Sequence, residues 1–511
     1  MKYKVVRCIS AALAGLCLLC LGCDNQAPEG KPKAGAPEAE PKQGASEHGP
    51  QARGGEGETR LGKIEFESDY VTEETAAKLR EELKFQAAVQ TYLWAFPMAN
   101  VMALRDGHRA VGIKNTSIPI FEDYLTPKSV VPTGNQTTVY AYNVVTLAEP
   151  MVLVVPPQVV GFTSDAWQRP LGDLGIPGAD KGKGGKYLFV PPSYKGEVPS
   201  EGYYVISCPT NNIWWLVRGF VKDGDTKATV KSLKQTKLYP LSNPDAPQEY
   251  LNASKMPAYC IPPRGYAFWE LLAKALNEET VQTHDRVMMG MASIFGLEKG
   301  KPFEPDAKTR AMLVEAEKVA YAMNSTLSFE TENPTAIAYD GRQWEFCFQT
   351  ESPSFDAEHR LELYERAAFT HQAMTGANSM VLKIVGKGSK YLFTSRDADG
   401  KHLDGANSYT LKVPANVPAK DFWSVCVYDA KTRSILDTGR PRSALNSQMD
   451  LPVNQDGTVD LYFGPTPPPQ GEKSWIKTKP GEGFFMYFRF YGPLEPFFDK
   501  SWKLNDVVKV K

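Results

Sequence analysis

Apolar residues recur near helical spacing in two parts of the chain. In the first part, Thr72 precedes Glu73 and Glu74, and a capping hydroxyl followed by two acids favours a helix N-terminus. The apolar positions that follow predict a helix until Pro97 disturbs the pattern: Leu79, Leu83, Ala87, Leu93 and Phe96. The same spacing predicts further helices in the middle of the chain: Ala267–Leu276, Glu279–Phe295, Asp306–Asn324 and Ala357–Met374.

Short β-prone runs broken by Gly and Pro lie on either side of the helical middle. The N-terminal runs predict strands at Thr137–Tyr142, Met151–Val155, Lys186–Val190, Tyr203–Ser207 and Ile213–Phe220. The C-terminal runs predict strands at Met380–Val385, Tyr391–Ser395, Tyr409–Val413, Phe422–Tyr428, Val459–Phe463 and Phe484–Tyr491. The order of these helices and strands along the chain indicates an α+β fold. We predict two antiparallel β-sandwich or jelly-roll-like modules, a helical N-terminal segment and a helical middle region.

The N-terminus has the pattern of a cleaved export signal. Basic residues in the first seven positions precede a short apolar run that ends at Cys20, which is too short to span a bilayer. The sequence Cys20-Leu-Gly-Cys23 resembles a lipobox and predicts lipidation of Cys23; the alternative is a secreted protein cleaved nearby. In some bacteria, an acid such as Asp24 at the next position favours retention at the inner membrane.

The stretch that follows the signal contains Pro, Gly, Ala, Glu, Lys and Gln and scarcely a bulky apolar residue. Such a composition cannot bury enough surface to fold, so it predicts a disordered tether. The whole chain then divides into a signal peptide (1–22), the tether (23–60), a helix with the first β module (61–235), the helical middle (236–375) and the second β module (376–511).

The charge balance bears on possible partners, and the cysteines bear on possible disulfides. The chain has 58 basic and 59 acidic residues and no basic block, which argues against nucleic acid as a partner. Beyond the N-terminal segment, four scattered cysteines could form two disulfides in three possible pairings, or be buried thiols: Cys208, Cys260, Cys347 and Cys426. Their apolar and aromatic surroundings favour buried thiols.

Motifs for known chemistry are absent. The sequence has no nucleophile elbow, zinc-protease helix, Walker loop or dinucleotide fingerprint, and none of its histidines has a His or Cys at metal spacing. The segment Asp397-Ala-Asp399-Gly400…Asp404 has calcium-like spacing but no closing Glu, which favours a β-turn with capping aspartates. We therefore expect no metal site and no cofactor.

The ordered set of short motifs resembles a family with two domains of unknown function. Tyr92-Leu-Trp-Ala-Phe-Pro97, Pro132-Thr-Gly-Asn135 with Tyr140, Ser164-Asp165-Ala-Trp167 and Trp215-Leu-Val-Arg218 resemble the domain of unknown function 1254. Leu403-Asp404-Gly405, Phe422-Trp423-Ser424, Tyr428-Asp429 and Phe488-Arg-Phe-Tyr491-Gly-Pro493 resemble the companion domain 1214. The resemblance covers roughly Lys84 to Val507 and implies two β-sandwich-like modules packed with helices. Gln136 replaces the family's usual Asp.

Polar and aromatic residues within these motifs are the candidate ligand-binding residues, since sites form where such groups meet in an apolar cleft. We predict Tyr92, Asn135, Tyr140, Asp165, Trp167, Arg218 and Trp423, and consider Asn211, Asp429 and Arg489 beside them. An Arg could clamp a carboxylate or a sugar, and an aromatic ring could stack on a ligand. The alternative is that each of these residues fills the core or builds a β corner.

The sequence therefore predicts an exported lipoprotein, held by acylated Cys23 at the periplasmic face of the inner or outer membrane, that binds a small molecule or carbohydrate between its β modules. One alternative is a hydrolase or lyase that uses Asp165, Asp106 or a histidine. Another is an envelope scaffold that binds proteins. A homo-oligomer is compatible with every hypothesis, and no catalytic residue is assigned.

Overall fold

The computed structural model describes residues 57–221 and 224–510. The predicted signal peptide, Cys23 and most of the predicted tether lie outside these residues. Within them, no helix has the length and apolar character needed to cross a membrane. The chain forms two compact units, which divide between Thr72 and Glu73.

Strands and helices alternate in blocks along the chain, as an α+β fold requires. The described α-helices are α1 Glu73–Ala110, α2 Lys227–Leu233, α3 Tyr266–Glu278, α4 Arg286–Ser293, α5 Ala307–Phe329, α6 Leu363–Gln372, α7 Asn378–Val381 and α8 Glu495–Phe498, with 3-10 turns at Thr283–Asp285 and Pro334–Ala336.

The described strands are β1 Gly57–Thr59, β2 Gly62–Ile64, β3 Phe66–Glu67, β4 Tyr70–Val71, β5 Ile118–Ile120, β6 Val139–Thr146, β7 Met151–Val155, β8 Val160–Asp165, β9 Pro170–Gly175, β10 Gly185–Val190, β11 Tyr204–Ser207, β12 Asn212–Gly219, β13 Lys237–Pro240, β14 Tyr250–Asn252, β15 Glu345–Phe346, β16 Asp356–Ala357, β17 Arg360–Leu361, β18 Ser389–Thr394, β19 Tyr409–Val413, β20 Ala419–Asp429, β21 Ala444–Asn446, β22 Val459–Gly464, β23 Trp475–Lys477, β24 Phe484–Pro493 and β25 Val508–Lys509.

The described part of the first unit consists of two small hairpins, β1–β2 and β3–β4. The first hairpin begins at Gly57, within the segment predicted to be a tether. The Thr59 hydroxyl donates to the Gly62 carbonyl at 2.8 Å and accepts from the Leu61 amide at 3.1 Å, which closes the turn.

The second unit contains four larger sheets. Its N-terminal half has a four-stranded sheet (β11-β10-β7-β13) and a six-stranded sheet (β14-β5-β6-β12-β8-β9), and its C-terminal half has a five-stranded sheet (β15-β18-β24-β20-β21) and a four-stranded sheet (β23-β22-β19-β25). Every described sheet is open. Most pairings are antiparallel, but the edge pairs β10–β11, β5–β14 and β22–β23 are parallel.

Buried clusters connect these sheets in series. One cluster joins the two N-terminal sheets and another joins the two C-terminal sheets. A third cluster joins the six-stranded sheet, through Tyr142 and Trp214, to the five-stranded sheet, through Phe393 and Tyr487. The six- and five-stranded sheets are therefore apolar on both faces. The sandwich or jelly-roll arrangement of the modules stays a prediction.

The helices form a separate core beside the sheets. α1 packs against α3, α4, α5 and α6, and its second half is buried almost throughout. The helix continues through Pro97 to Ala110, beyond the point where the pattern is disturbed. The packing of the flanking turns offsets the missing hydrogen bond, and the Pro97 carbonyl accepts a bond from Gln168 Nε2 at 3.0 Å.

Two predicted helices begin later than the sequence pattern indicates, and one predicted strand is wrong. α4 begins at Arg286 instead of Glu279, because the Glu279 carboxylate turns away to accept the amides of Asn211 and Asn212 at 2.6 and 2.8 Å. α6 begins at Leu363 instead of Ala357, because the β16–β17 hairpin occupies the preceding residues.

The wrong element is the strand predicted at Met380–Val385. This segment forms the short helix α7 and a turn. The ammonium group of Lys390 donates to the carbonyls of Met380 and Leu382, each at 2.7 Å, so these carbonyls do not pair with a strand.

Candidate functional site

The candidate site lies where the six-stranded and five-stranded sheets face each other. On β6 and β12, Tyr140 and Arg218 are direct cross-strand partners. On β18 and β24, Tyr391 pairs with Arg489. Side chains alternate between the two faces of a strand, so this register points Arg218 and Arg489 into the space between the sheets together with the apolar residues of the shared cluster.

Arg218 connects the two halves of the second unit. Its Nη1 donates to Tyr140 Oη at 3.2 Å and its Nη2 donates to Ser389 Oγ at 2.9 Å. The guanidinium carbon lies 5.3 Å from the ring centre of Tyr491. The side chain is 7% exposed, so this charge is almost fully removed from water.

Arg489 is also buried, and part of its hydrogen-bonding capacity is unused. Its Nη2 donates to the Thr133 carbonyl at 3.0 Å, and its buried Nη1 has no partner among the described residues. The rings of Tyr391, Tyr428 and Tyr487 surround the guanidinium, with centres 5.6 to 5.9 Å from Cζ. Arg489 therefore has one buried nitrogen, Nη1, whose two N–H bonds are available for a ligand.

Neither guanidinium has an ion-pair partner in the described part of the chain. The described salt bridges involve neither Arg218 nor Arg489. A buried charge without a counterion costs several kcal/mol. The space between the two sheets therefore has an excess of positive charge.

Tyr140 and Asn135 complete the polar group. Tyr140 Oη accepts from Arg218 and from Asn135 Nδ2, both at 3.2 Å, and Asn135 Nδ2 also lies 2.6 Å from Tyr491 Oη. Burial raises the pKa of the Tyr140 phenol, but the charges of Arg218 and Arg489, together with hydrogen bonds to Thr138 and Asn135, outweigh burial and lower that pKa below its ordinary value. A phenol with a lowered pKa releases its proton more readily than an ordinary tyrosine.

Three spaces adjoin these residues. The inner cavity, about 50 Å³, is lined by Asn135, Tyr140, Tyr391 and Arg489 among others. A smaller cavity of about 30 Å³ is lined by Arg218, Ser389 and the same two tyrosines. The outer groove, about 580 Å³, shares Cys347, Met380 and Tyr391 with the inner cavity. The inner cavity has room for about three to five water molecules, which is the scale of a carboxylate with its first carbons.

Three of the residues predicted from the sequence, Asn135, Tyr140 and Arg218, meet here, and Arg489 lies with them. Tyr92 lies elsewhere, in the helical core, with its ring centre 4.2 Å from that of Phe268. Trp423 lies in the C-terminal core, where its ring stacks on Phe488 at 5.3 Å.

Asp165 and Trp167 also lie outside the cavity. Asp165 Oδ1 accepts the amides of Trp167 and Arg169, each at 2.8 Å, and so caps the turn after β8. The ring of Trp167 packs 4.6 Å from that of Trp94. Both residues therefore have structural contacts, while the buried Asp165 Oδ2 and Trp167 Nε1 make no hydrogen bond within the described residues.

Other sequence candidates have structural partners. Gln136, at the position of the family's usual Asp, donates to the Leu125 carbonyl at 3.1 Å and accepts the Ser443 amide at 2.7 Å. Asp429 accepts the Thr432 amide at 2.5 Å and caps a turn. Asn211 Nδ2 donates to the Glu278 carbonyl at 2.7 Å. These contacts connect turns and segments, and none reaches the cavity.

The calcium-like loop is a turn. Asp397 Oδ1 accepts the amides of Asp399 and Lys401, each at 3.0 Å, and Asp404 Oδ1 accepts the Ala406 amide at 2.9 Å. Within residues 57–221 and 224–510, no group of three or more His, Cys, Asp or Glu side chains could hold a metal ion.

The acid–base groups considered from sequence are also engaged elsewhere. Asp106 bonds Arg105 Nε at 2.9 Å and Lys274 Nζ at 3.1 Å. His108 lies near the end of α1 beside Asn143, and burial lowers its pKa to about 4. The four cysteines are buried free thiols.

Three further residues belong to the site but did not stand out in the sequence: Ser389, Tyr391 and Tyr491. For Tyr491, the sequence offers one indication, the alternation of side chains along a strand. Tyr487, Arg489 and Tyr491 occupy every second position of β24 and therefore point to the same face. The same alternation occurs throughout the core, so it could not separate these residues from ordinary core positions.

Comparisons with known proteins give a family and a fold. No curated protein matches the chain. The solved VPA0106 protein of Vibrio parahaemolyticus is 17% identical, with a TM-score of 0.53 over 84% of this chain and 100% of that chain. An uncharacterized protein from Burkholderia cenocepacia is 13% identical, with a TM-score of 0.40 over 85% and 97%. The first likeness supports the α+β fold.

Two family models match the parts of the chain that build the candidate site. Residues 116–240 match DUF1254 and residues 388–495 match DUF1214, each described as a protein of unknown function. These matches confirm the resemblance drawn from the sequence motifs. The chain therefore contains a DUF1254 domain followed by a DUF1214 domain, the pair that the sequence motifs resemble.

Proposed function

We propose that the protein binds a small organic anion, such as a carboxylate, between the six-stranded and five-stranded sheets. The proposal keeps the expectation of an exported lipoprotein anchored by Cys23, and it replaces a general small-molecule or carbohydrate ligand with an anionic one. A neutral sugar would leave the guanidinium charge of Arg489 uncompensated, whereas a carboxylate in the inner cavity would pair with it.

The observation that carries this proposal is the unused Nη1 of Arg489. A buried N–H group without an acceptor costs about 1–3 kcal/mol, and more when the group is charged. Arg489 lines the inner cavity, so a ligand oxygen there could accept this N–H. The tyrosine rings around Arg489 offset only part of the cost, because a cation–π contact contributes about 0.5–2 kcal/mol.

Calorimetric titration of butyrate and benzoate into the purified protein tests the proposal. We expect binding by the wild type and at least a tenfold weaker affinity for Arg489→Gln, the scale of one charged hydrogen bond. Arg489→Lys keeps the charge and should keep part of the affinity. The control is Arg286→Gln, which removes an exposed charge on α4, outside the cavities described above.

Thermal unfolding of the ligand-free variants separates a binding role from a structural one. Arg489→Gln removes a buried charge without a counterion, so its melting temperature should be no lower than that of the wild type. Wild-type protein that binds neither acid, or an Arg489→Gln variant that binds both as tightly, would contradict the proposal.

A hydrolase or lyase is the second candidate, with Tyr140 as its acid–base group in place of Asp165, Asp106 or a histidine. The lowered pKa of Tyr140 and its place on the cavity wall favour this candidate. NMR spectra of bound acids over time would show conversion by the wild type and none by Tyr140→Phe. Unchanged spectra with the wild type would leave binding alone as the function of the site.

A further inference from the structure

We propose that the ligand is an amphipathic carboxylic acid, with its carboxylate at Arg489 and its apolar chain in the outer groove. This inference rests on the proposed function and specifies the chemical class of its ligand. Three features of the second unit support it: the small size of the inner cavity, the wall that this cavity shares with the groove, and the composition of the groove.

The size of the inner cavity limits what can lie beside Arg489. Its volume of about 50 Å³ suits a carboxylate and its first carbons, whereas the adjoining groove measures about 580 Å³. A ligand with a larger body must therefore extend out of the inner cavity. The groove is the larger of the two spaces that share its wall.

The shared wall is made of a few side chains. Cys347, Met380 and Tyr391 line both the inner cavity and the groove, and Tyr391 is the cross-strand partner of Arg489. Met380 belongs to the single-turn helix α7, and an unbranched methionine side chain adapts its shape readily. A chain that passes Met380 would connect the carboxylate site with the groove.

The groove has the composition expected for an apolar chain that carries a negative charge. Phe346, Phe348, Phe497 and Leu382 supply apolar surface, and Leu382 is 44% exposed. Three lysines and a single acid, Glu351, also line it: Lys383, Lys390 and Lys500. An excess of positive charge around an apolar groove attracts amphipathic anions and disfavours neutral lipids.

The lysines of the groove have defined positions. Lys390 is fixed by the carbonyls of Met380 and Leu382, and Lys500 lies over the ring of Phe346 at 5.5 Å. Lys383 pairs with Glu495 at the surface. Lys390 therefore acts as a positioning residue for the segment that separates the groove from the inner cavity.

A series of straight-chain acids from acetate to decanoate, titrated calorimetrically into the purified protein, tests the inference. Each methylene that enters the groove should strengthen binding by up to about fourfold. Leu382→Trp, which adds bulk inside the groove, should weaken decanoate binding at least tenfold and weaken acetate binding far less. The matched control is Val453→Trp, which adds the same bulk at a residue that is 66% exposed and outside the groove.

The outcomes separate this inference from the proposed function. Equal affinity along the series, with loss of binding in Arg489→Gln, would contradict the placement of the apolar chain in the groove. The proposed anion site at Arg489 would remain. Equal weakening of acetate and decanoate by Leu382→Trp would also overturn the groove as the place of the chain. Failure of the wild type to bind any acid would overturn both.

Discussion

Arg489 and Arg218 each carry a buried charge among aromatic or apolar residues. Their neighbours on the same face of the strand are all of these two kinds. On β24 the flanking residues are Tyr487 and Tyr491, and all three side chains are less than 9% exposed. Aromatic faces attract a cation weakly compared with the several kcal/mol that burial of an ion costs. The anion that we propose would supply the missing compensation.

The lowered pKa of Tyr140 predicts a pH dependence of anion binding. As pH rises through that pKa, the phenolate forms and neutralises a guanidinium charge, so it competes with the ligand. Affinity for butyrate should therefore fall by about tenfold or more toward pH 10. Calorimetric titrations at a series of pH values above 7 measure this change.

Tyr140→Phe is the control for this pH dependence. The variant lacks the hydroxyl and so cannot form the competing phenolate, and its affinity should stay constant over the same pH range. A wild-type affinity that does not change would contradict the competition by the phenolate. A phenylalanine variant with the same fall would show that another group titrates.

The sequence identifies part of the site at this scale. Asn135, Tyr140 and Arg218 stand out because polar groups interrupt β-prone segments. Ser389 and Tyr391 have no such contrast, since serine and tyrosine are common in strands of every kind. Asp165 stands out equally well but caps a turn, because a carboxylate next to a strand end serves backbone amides as readily as it serves a ligand.

At the scale of elements, α1 shows how packing overrides local preference. The second half of this helix includes Pro97 and Gly107, which both disfavour helix, and it is nevertheless buried and continuous. A Cβ added at Gly107 would lie 2.3 Å from the carbonyl oxygen of Tyr259. The missing side chain therefore allows the loop at Tyr259 to approach the helix closely.

Gly107→Ala should destabilise the protein even though alanine favours helix. The gain in helix propensity is about 1 kcal/mol, and a forced shift of packed backbone costs about 1–3 kcal/mol. The control is Gly290→Ala on α4, where an added Cβ has nothing within 4 Å and should stabilise by about 0.5–1 kcal/mol. Chemical denaturation measures the change in the free energy of unfolding of each variant. A stabilised Gly107→Ala variant would contradict the close approach of the Tyr259 loop to the helix.

Two of the differences between predicted and observed elements have a common cause. The segments at Glu279 and Met380 have suitable local patterns for a helix and a strand, but side chains and carbonyls form contacts with residues distant in sequence or on another element. A pattern reports which positions are apolar. It does not report where a carboxylate or an ammonium group finds its partner.

At the scale of the molecule, the two halves of the second unit share one buried cluster. This cluster contains Tyr142 and Trp214 from the N-terminal half and Tyr428 and Tyr487 from the C-terminal half. The α+β class and the order of blocks could be predicted, because they depend on local patterns. The meeting of Asn135 with Tyr491 across 356 positions could not, since it depends on how two sheets face each other.

The shared cluster predicts that residues 73–510 unfold as one cooperative unit. Scanning calorimetry should give one main transition with equal calorimetric and van't Hoff enthalpies. Trp215→Phe and Phe488→Leu, which alter the clusters within the N-terminal and the C-terminal half, should each move that transition as a whole. Two transitions, each sensitive to only one of these variants, would contradict the prediction.

The division of the site between the two domains has a consequence for how such genes can evolve. Arg218 comes from the DUF1254 match and Arg489 from the DUF1214 match. A gene that encoded either domain alone would specify half of the proposed anion site and leave aromatic residues of a central sheet, such as Trp214 or Tyr487, without their cover. Such a product would require a second polypeptide with the complementary half. Under the proposed function, selection on ligand affinity would act on the pair of domains, and a change in one would be compensated in the other.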